Sequence, residues 1–304
     1  MKSPFRFYAS SLIAVSLLLL PGLVFAQNKA VTLPYQLTHS IQMDPAFSPD
    51  GKRIVYIVVV AGIEQLFLSN ADGTEPKQLT QDNVNHEDPT WSPNGKKIAY
   101  VYIKGDLQVI HQMDIDGTND EALTPESIHV IHPRFHPDGF RLAYCTTDDL
   151  NPPLKNTSEI QEIDLRTRKT TTLVSGGINT YPVYSPDGSK MALRKFVGEL
   201  NSEIFVGNSD GTQLKNLTNS TAFDGWPVWS PDGSQIAFAS NRRSNYQIFL
   251  MQADGSDVRL LANTEGRATA PAWSPDGRVI MFPVCKNVDY GHGCEIFAAE
   301  VPKR

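Results

Sequence analysis

A short segment recurs six times along the chain, and this repeat constrains the fold more than any other feature. Each copy is an aromatic residue followed by a turn of the Ser-Pro-Asp-Gly type, and the proline of the turn advances by 44, 44, 49, 45 and 44 residues. The copies occupy residues 47–51, 91–95, 135–139, 184–188, 229–233 and 273–277. A period of this length is typical of the blades of a β-propeller, so six copies predict six blades.

Each unit divides into four strands, as the fifth unit illustrates. Its apolar runs predict strands at 226–230, 235–240, 247–251 and 258–262. Tight turns separate the first pair and the last pair of strands, with proline preset at the second turn position and glycine free to adopt positive φ. The middle strands are apolar on both faces, as expected for sheets that are buried between two neighbouring sheets.

The two ends of the chain complement each other. The sixth unit ends after a third strand at 295–299, whereas residues 34–38 resemble the fourth-strand endings at 78–80 and 216–218. We therefore expect an all-β, six-bladed propeller of four-stranded blades, closed by an N-terminal strand that completes the last blade. We expect this domain to span residues 27–304 and to leave no residues for a second domain.

The first 26 residues have the pattern of an export signal. Lys2 and Arg6 precede an apolar run at 11–20, and small residues follow where a signal peptidase cleaves. A membrane anchor is the alternative, but the apolar run has about half of the roughly 20 residues that a spanning helix needs. We expect a periplasmic or secreted protein that begins near Gln27 and does not span the membrane.

The charge of the chain is acidic. Lys and Arg number 27 against 33 Asp and Glu, and removal of Lys2 and Arg6 leaves a formal charge of about −8. Nucleic-acid binding selects basic surfaces, so nucleic acid is not an expected partner.

The cysteines are Cys145, Cys285 and Cys294. Cys285 and Cys294 are spaced to face each other across a hairpin, and in an oxidising compartment they would form a disulfide and leave Cys145 single. The alternative is three buried free thiols, because cysteine packs well in strands.

The turn motif, the Ile-Ala-Phe-like second strand, the Ile-Phe third strand, the Asp-Gly turn and the Leu-Thr ending together resemble the propeller repeat of the TolB family. The resemblance covers most of the chain and implies a protein-binding or scaffold module of the cell envelope, acting as a monomer. We expect no counterpart of the α/β domain that precedes the propeller in TolB. Related repeats also precede peptidase domains, but this sequence contains no Gly-x-Ser-x-Gly nucleophile elbow.

Candidate binding residues occur at the start of the first strand of each unit, on the face of the propeller opposite the turns. The position four residues before the first polar residue of each turn holds Asp44, Asp88, His132, Tyr181, Trp226 and Ala270. Equivalent positions meet around the axis, so these residues predict an acidic arc beside an aromatic arc. His39, His86, Glu87, His129, Asp224 and Arg267 are near them in sequence, and the loops at 146–158 and 286–293, the latter with His292, should project from the same face.

The function predicted for this face is recognition of a protein or peptide, with Asp44, His86, Asp88, His132, Tyr181, Asp224 and Trp226 as the binding residues. Two structural interpretations stand beside it: the aspartates bond to backbone amides, and the aromatic rings pack between blades. His136, which replaces a turn serine on the opposite face, is interpreted as a tolerated substitution.

A metal site is the rival hypothesis. Asp44, Asp88 and His132 on consecutive blades could hold a divalent ion in a metal-assisted lyase or hydrolase that acts on an acidic sugar or another small polar substrate. The sequence shows no placed base and no catalytic motif, so neither an enzyme nor a cofactor is the primary expectation.

Overall fold

The structure is a computed structural model that describes residues 30–32, 42–146, 157–199, 201–286 and 293–302. Within these ranges the chain forms six antiparallel sheets and no helix. The prediction of an all-β, six-bladed propeller is therefore confirmed. No helix long and apolar enough to cross a membrane occurs in the same ranges.

The strands follow the sequence repeat, with one exception at the N-terminus, where β1 (Ala30–Thr32) belongs to the last blade. Blade 1 contains β2 (Gln42–Phe47), β3 (Arg53–Val60), β4 (Ile63–Asn70) and β5 (Lys77–Gln78). Blade 2 contains β6 (Asn85–Trp91), β7 (Lys97–Lys104), β8 (Leu107–Asp114) and β9 (Glu121–Ala122). Blade 3 contains β10 (Val130–Phe135), β11 (Arg141–Thr146), β12 (Ile160–Asp164) and β13 (Thr170–Val174).

Blades 4 and 5 have the same order of strands, whereas in blade 6 two short strands, β22 and β23, take the place of the first strand. Blade 4 contains β14 (Asn179–Tyr184), β15 (Lys190–Gly198), β16 (Asn201–Asn208) and β17 (Lys215–Asn216). Blade 5 contains β18 (Asp224–Trp229), β19 (Gln235–Arg243), β20 (Asn245–Gln252) and β21 (Arg259–Ala262). Blade 6 contains β22 (Arg267–Ala268), β23 (Ala272–Trp273), β24 (Val279–Cys285), β25 (Cys294–Glu300) and β1.

Blade 5 shows where the sequence prediction of strand ends was too short. The second strand ends at Arg243 and the third begins at Asn245, so both extend beyond the apolar runs. The reason is that the backbone hydrogen bonds continue into polar residues at the end of the hairpin. The hairpin that joins them is consequently tight, with Ser244 at positive φ.

The core lies between the blades. Successive residues of a strand point to opposite faces of the sheet. In β19, Ile236 and Phe238 pack towards blade 4, while Ala237 and Ala239 pack towards blade 6. Six such clusters occupy the six interfaces between neighbouring blades. This explains why the middle strands are apolar on both faces.

The repeated turn connects the first two strands of each blade. In blade 5 the Ser230 hydroxyl donates to Asp232 Oδ1 at 2.6 Å, and the Gly233 N–H donates to the Ser230 carbonyl at 2.9 Å. Gly233 has φ 71°, a conformation that glycine adopts without strain. In blade 3, His136 keeps the turn, and its Nε2 lies 3.2 Å from the Gly188 carbonyl of blade 4.

The aromatic residue before the turn ties neighbouring blades together. Trp91 Nε1 donates to the Ala46 carbonyl of blade 1 at 3.0 Å, and Trp229 Nε1 donates to the Val183 carbonyl of blade 4 at 3.2 Å. The repeat therefore combines a turn within one blade with a contact to the preceding blade.

The ring closes at blade 6 through the N-terminal strand. β1 pairs antiparallel with β25, with Ala30 opposite Ala299 and Thr32 opposite Phe297. The sequence placed this strand at 34–38, which lies outside the described residues. An apolar cluster of Ile54, Tyr56 and Val58 with Met281 and Ile296 joins blade 1 to blade 6 across the closure.

Cys285 and Cys294 form a disulfide that connects β24 to β25 directly opposite each other, while Cys145 is a buried free thiol in β11. Other expectations fall outside the described residues: the export signal at 1–26, His39, most of the loop at 146–158, and most of the loop at 286–293 with His292.

Deletion of residues 30–38 should destabilise the whole ring, because it exposes the edge of β25 beside the closing interface. We expect the thermal midpoint of the truncated chain to fall by about 5 °C or more relative to the chain that begins at Gln27. Deletion of residues 27–29 alone is the control. Equal midpoints for the two deletions, measured by circular dichroism, would show that β1 does not close the propeller.

Candidate functional site

A pre-proline residue with left-handed backbone geometry lies near the start of the first strand in blades 1 to 5 and between β22 and β23 in blade 6. These residues are Asp44, Asp88, His132, Tyr181, Trp226 and Ala270, with φ of 46°, 50°, 55°, 53°, 53° and 43°. Proline has no N–H for the ladder, and the pairing register shifts at this point, for example between Met43 and Ala46. Left-handed geometry costs about 1–2 kcal/mol for a residue with a side chain. The tertiary structure maintains it in all six blades.

A cavity of about 280 Å³ lies on the axis, lined by residues from all six blades. Five of the six pre-proline residues line it, together with Thr90, Arg134 and several prolines. We call the surface that holds the starts of the first strands and the hairpins between second and third strands the mouth face. The opposite surface, with the Ser-Pro-Asp-Gly turns, is the turn face.

The acidic arc and the aromatic arc meet at His132. Its backbone N–H donates to Asp88 Oδ2 at 3.2 Å, so Asp88 bonds to a backbone amide of the neighbouring blade. Its imidazole stacks on Tyr181 with ring centroids 3.6 Å apart. Nδ1 lies 3.2 Å from Cys145 Sγ, and Nε2 lies 3.7 Å from Asp88 Oδ2. Burial lowers the pKa of His132 to about 4, so the ring is neutral at physiological pH.

Four carboxyl groups gather on the side of blades 1 and 2: Asp44, Glu64, Glu87 and Asp88. The pKa of Asp44 is raised to about 7, mainly by burial and secondly by the negative charge of Asp88. The pKa of Glu87 is raised to about 9, mainly by burial and secondly by the charge of Glu64. Burial also raises the pKa of Glu64. Since like charges in a low dielectric disfavour ionisation, part of this cluster is protonated at neutral pH.

The opposite side of the mouth face, on blades 4 and 5, combines arginine with aromatic rings. The guanidinium carbon of Arg194 lies 4.7 Å from the Tyr181 ring centroid, 5.3 Å from Trp226, 5.0 Å from Phe196 and 5.4 Å from Phe223. These distances suit cation–π contacts. Glycine at position 225 leaves room for Arg194, because a Cβ there would lie 3.0 Å from Arg194 Cδ.

The cluster continues towards blade 6. Tyr246 lies edge-on to both Trp226 and Phe223, with ring centroids 5.7 and 5.9 Å apart. Arg267 stacks over Tyr246 at 4.4 Å. The mouth face is therefore acidic on one side and aromatic with arginine on the other.

Three of the predicted binding residues do not line the cavity: His132, whose contacts are given above, His86 and Asp224. His86 is 1 % exposed and packs against Tyr100 and Tyr102 between blades 1 and 2. Asp224 is fully buried and pairs with Arg242 at 2.9 Å. Each is held by neighbours within the scaffold, because burial of a polar side chain requires a partner. The structure brings together Asp44, Asp88, His132, Tyr181 and Trp226, as the register of the repeat indicates.

The residues of the metal hypothesis do not fit a metal centre. The part of the chain described by the structure contains no group of three or more His, Cys, Asp or Glu side chains placed to hold an ion. Asp88 accepts a backbone hydrogen bond, and one imidazole nitrogen of His132 faces Cys145.

Sequence reasoning missed Glu64, Arg134, Arg194 and two of the rings around Arg194, those of Phe196 and Phe223. For Arg134 a signal was present: the position two residues after each pre-proline residue reads Ala46, Thr90, Arg134, Val183, Val228 and Ala272. Arg194 and Glu64 come from the second and third strands, where the repeat alone did not indicate which residues reach the mouth face.

Residues 97–291 match the sequence model of the TolB beta propeller domain. The chain belongs to this family. A search of curated proteins found no match.

Solved structures of the same fold include TolB proteins and enzymes. TolB from Acinetobacter baumannii superposes with a TM-score of 0.68 at 23% identity, over 83% of this chain and 64% of that chain. The putative TolB from Agrobacterium tumefaciens gives 0.66 at 21% identity, over 88% and 92%. An oligogalacturonate lyase from Vibrio parahaemolyticus gives 0.61 at 15% identity, over 92% and 95%. This chain thus spans less than two thirds of the A. baumannii TolB, and at these identities the likeness shows the fold.

Asp44→Asn should remove a pH-dependent destabilisation. Because the pKa of Asp44 rises from 3.8 to about 7 on folding, its contribution to stability is complete below pH 4 and is lost as the pH rises to about 7. The Asn variant keeps the shape without the charge, so it should gain stability relative to wild type over this window, by about 1–3 kcal/mol above pH 7.

Urea unfolding at a series of pH values measures this difference. Asp106→Asn, at an exposed hairpin of the same face, is the matched control and should follow wild type. A constant difference between wild type and Asp44→Asn from pH 4 to 8 would contradict the raised pKa of Asp44.

Proposed function

We propose that this chain is an exported, periplasmic propeller that binds a protein or peptide of the cell envelope at the mouth face and acts there as a monomer. The observation that carries the proposal is the concentration of aromatic rings and arginine beside a cavity on this one face. Tyr181, Trp226 and Arg194 are of the residue types that dominate binding energy at interfaces.

The turn face offers less to a specific partner. Its six turns are built alike. In four of them the serine hydroxyl donates a hydrogen bond to the aspartate of the turn, and in a fifth it donates to an asparagine. Rigid strands position the mouth residues, so binding there would require little reorganisation.

Two features support export to an oxidising compartment. Residues 1–26 have the pattern of a secretory signal, and Cys285 and Cys294 form a disulfide, a bond that persists mainly outside the cytosol. The fold shared with TolB supports a binding role in the envelope. This chain spans 64% of the A. baumannii TolB, and the proposal concerns only the propeller that the two proteins share.

Photo-crosslinking tests the binding face directly. Val197 on the mouth face and Phe140 on the turn face are 49% and 50% exposed, so a photoreactive residue at either position is equally accessible. We expect a specific adduct from position 197 and none from position 140. Trp226→Ala should weaken formation of that adduct by about 30-fold, which corresponds to about 2 kcal/mol for a central aromatic anchor.

Phe140→Ala is the control, since it removes an aromatic side chain of similar exposure from the turn face and should leave the adduct unchanged. Mass spectrometry identifies the captured protein. An adduct that forms from position 140, or that persists undiminished in Trp226→Ala, would place binding elsewhere.

A lyase or hydrolase that acts on an acidic sugar is the second candidate. The observation that favours it is the pair Asp44 and Asp88: the pKa of Asp44 is raised to about 7, and Asp88 accepts a hydrogen bond from a backbone N–H. Carboxyl groups in unlike environments suit general acid and base roles. The fold is also that of an oligogalacturonate lyase. The residues that the structure describes contain no group of three His, Cys, Asp or Glu side chains placed to hold a metal for this candidate.

Incubation of the purified protein with oligogalacturonate, followed by ultraviolet detection of the unsaturated product, tests this candidate. Elemental analysis of the same preparation tests the metal. If binding alone is the function, neither turnover nor stoichiometric metal is expected, and the Asp44→Asn, Asp88→Asn double variant should behave like wild type in both assays. Turnover lost in the double variant would establish the enzyme instead.

A further inference from the structure

Arg134 is the one charged residue in its register. The equivalent positions of the other blades hold Ala46, Thr90, Val183, Val228 and Ala272, which are small, apolar or neutral. Position 134 lies two residues beyond the pre-proline residue along β10, and therefore deeper in the channel than the ring of those residues. The guanidinium of Arg134 is thus the single charged group among the six equivalent positions of this register.

The guanidinium of Arg134 has a limited set of protein contacts. Its NH1 atom donates to the Pro133 carbonyl at 2.8 Å. No carboxylate oxygen of the described residues lies within 4.0 Å of it, although the channel contains Asp44 and Asp88. Arg134 is partly buried, and a guanidinium has five N–H donors. The remaining donors of Arg134 are therefore available to a ligand in the cavity.

The nearby acids are compatible with an anionic ligand near neutral pH. The groups that face this region are Asp44, Glu64, Glu87, Asp88, His132, Tyr181, Arg134 and Arg194. Burial keeps Glu87 protonated and Asp44 partly protonated at pH 7, and His132 and Tyr181 are uncharged there. Arg134 and Arg194 offset part of the remaining negative charge.

The size and lining of the cavity favour the end of a peptide chain as its ligand. Its volume of about 280 Å³ lies at the lower limit for a ligand pocket. Besides Asp44, Asp88, Thr90 and Arg134, the lining is mostly proline, alanine, valine and aromatic side chains, which offer few partners to the hydroxyl groups of a sugar. A peptide that enters along the axis presents only its terminus to the deepest part of the channel.

We propose that Arg134 binds the terminal carboxylate of a partner peptide that enters the channel from the mouth face, while Tyr181 and Trp226 contact the residues before the terminus. This inference rests on the proposed binding function and specifies the chemical group that the partner presents. An arginine fork matches a carboxylate in two parallel hydrogen bonds.

Two synthetic pools test the proposal: N-acetylated hexapeptides randomised at the last four positions, with either a free carboxylate or an amide at the C-terminus. We expect the protein to retain the free-acid pool at pH 6 roughly tenfold or more over the amide pool, as for hydrogen bonds to a charged group. Arg134→Met should abolish the preference at similar side-chain volume. Arg243→Met, an exposed arginine on the same face, is the matched control and should retain it.

The pH dependence provides a second readout. Retention of the free-acid pool should decrease as the pH rises from 6 to 8, because ionisation of Asp44 places a negative charge beside the bound carboxylate. Asp44→Asn should abolish this decrease. A cationic ligand would show the opposite trend.

Equal retention of the two pools, or retention unaffected by Arg134→Met, would overturn the inference, as would binding of galacturonic acid that depends on Arg134 in the absence of peptide binding. A crosslinked partner at position 197 together with equal retention of the pools would leave the proposed function intact and refute only the role of Arg134. If no partner is crosslinked from position 197, the result would count against the proposed function itself.

Discussion

Burial of both faces of every blade is the constraint on which the rest of this structure depends. Alternate residues of β19 pack on different neighbours, Phe238 towards blade 4 and Ala239 towards blade 6. A single blade would leave at least one of these faces in water, so the sheets are stable only as a closed ring. Closure explains why Ile54 of blade 1 packs against Met281 of blade 6, and why an N-terminal strand completes the last sheet.

The closed ring also produces the site. Six residues in left-handed geometry, each before a proline, would be strained in an isolated strand, but the surrounding blades fix them. Their position near the axis brings Asp44 close enough to Asp88 for their charges to interact, and it stacks Tyr181 on His132. The raised pKa of Asp44 is thus a consequence of assembly, since the blades of the ring bury this carboxyl and Asp88, whose charge raises the pKa most, lies 44 positions away in the chain.

Part of this arrangement could be predicted because the repeat transfers position from one blade to the next. Counting back from the turn identified Asp44, Asp88, Tyr181 and Trp226, all of which line the cavity. His86 and Asp224 were chosen for their nearness in sequence, and they do not line the cavity, since proximity in sequence does not reveal which side of a strand faces the channel and which faces a neighbouring blade. Arg134 could have been found by comparing equivalent positions, whereas the packing of Arg194 against four rings required the structure.

The sequence by itself determined the number of blades, the order of strands, the turns and the ring of residues at the axis. It could do so because these features depend on local turn chemistry and on a period that repeats six times. Tertiary structure decided which charged groups share the channel, which are buried in ion pairs, and how acidic and aromatic sides divide the mouth face. Those properties depend on distances between side chains of different blades, and such distances arise only when the ring closes.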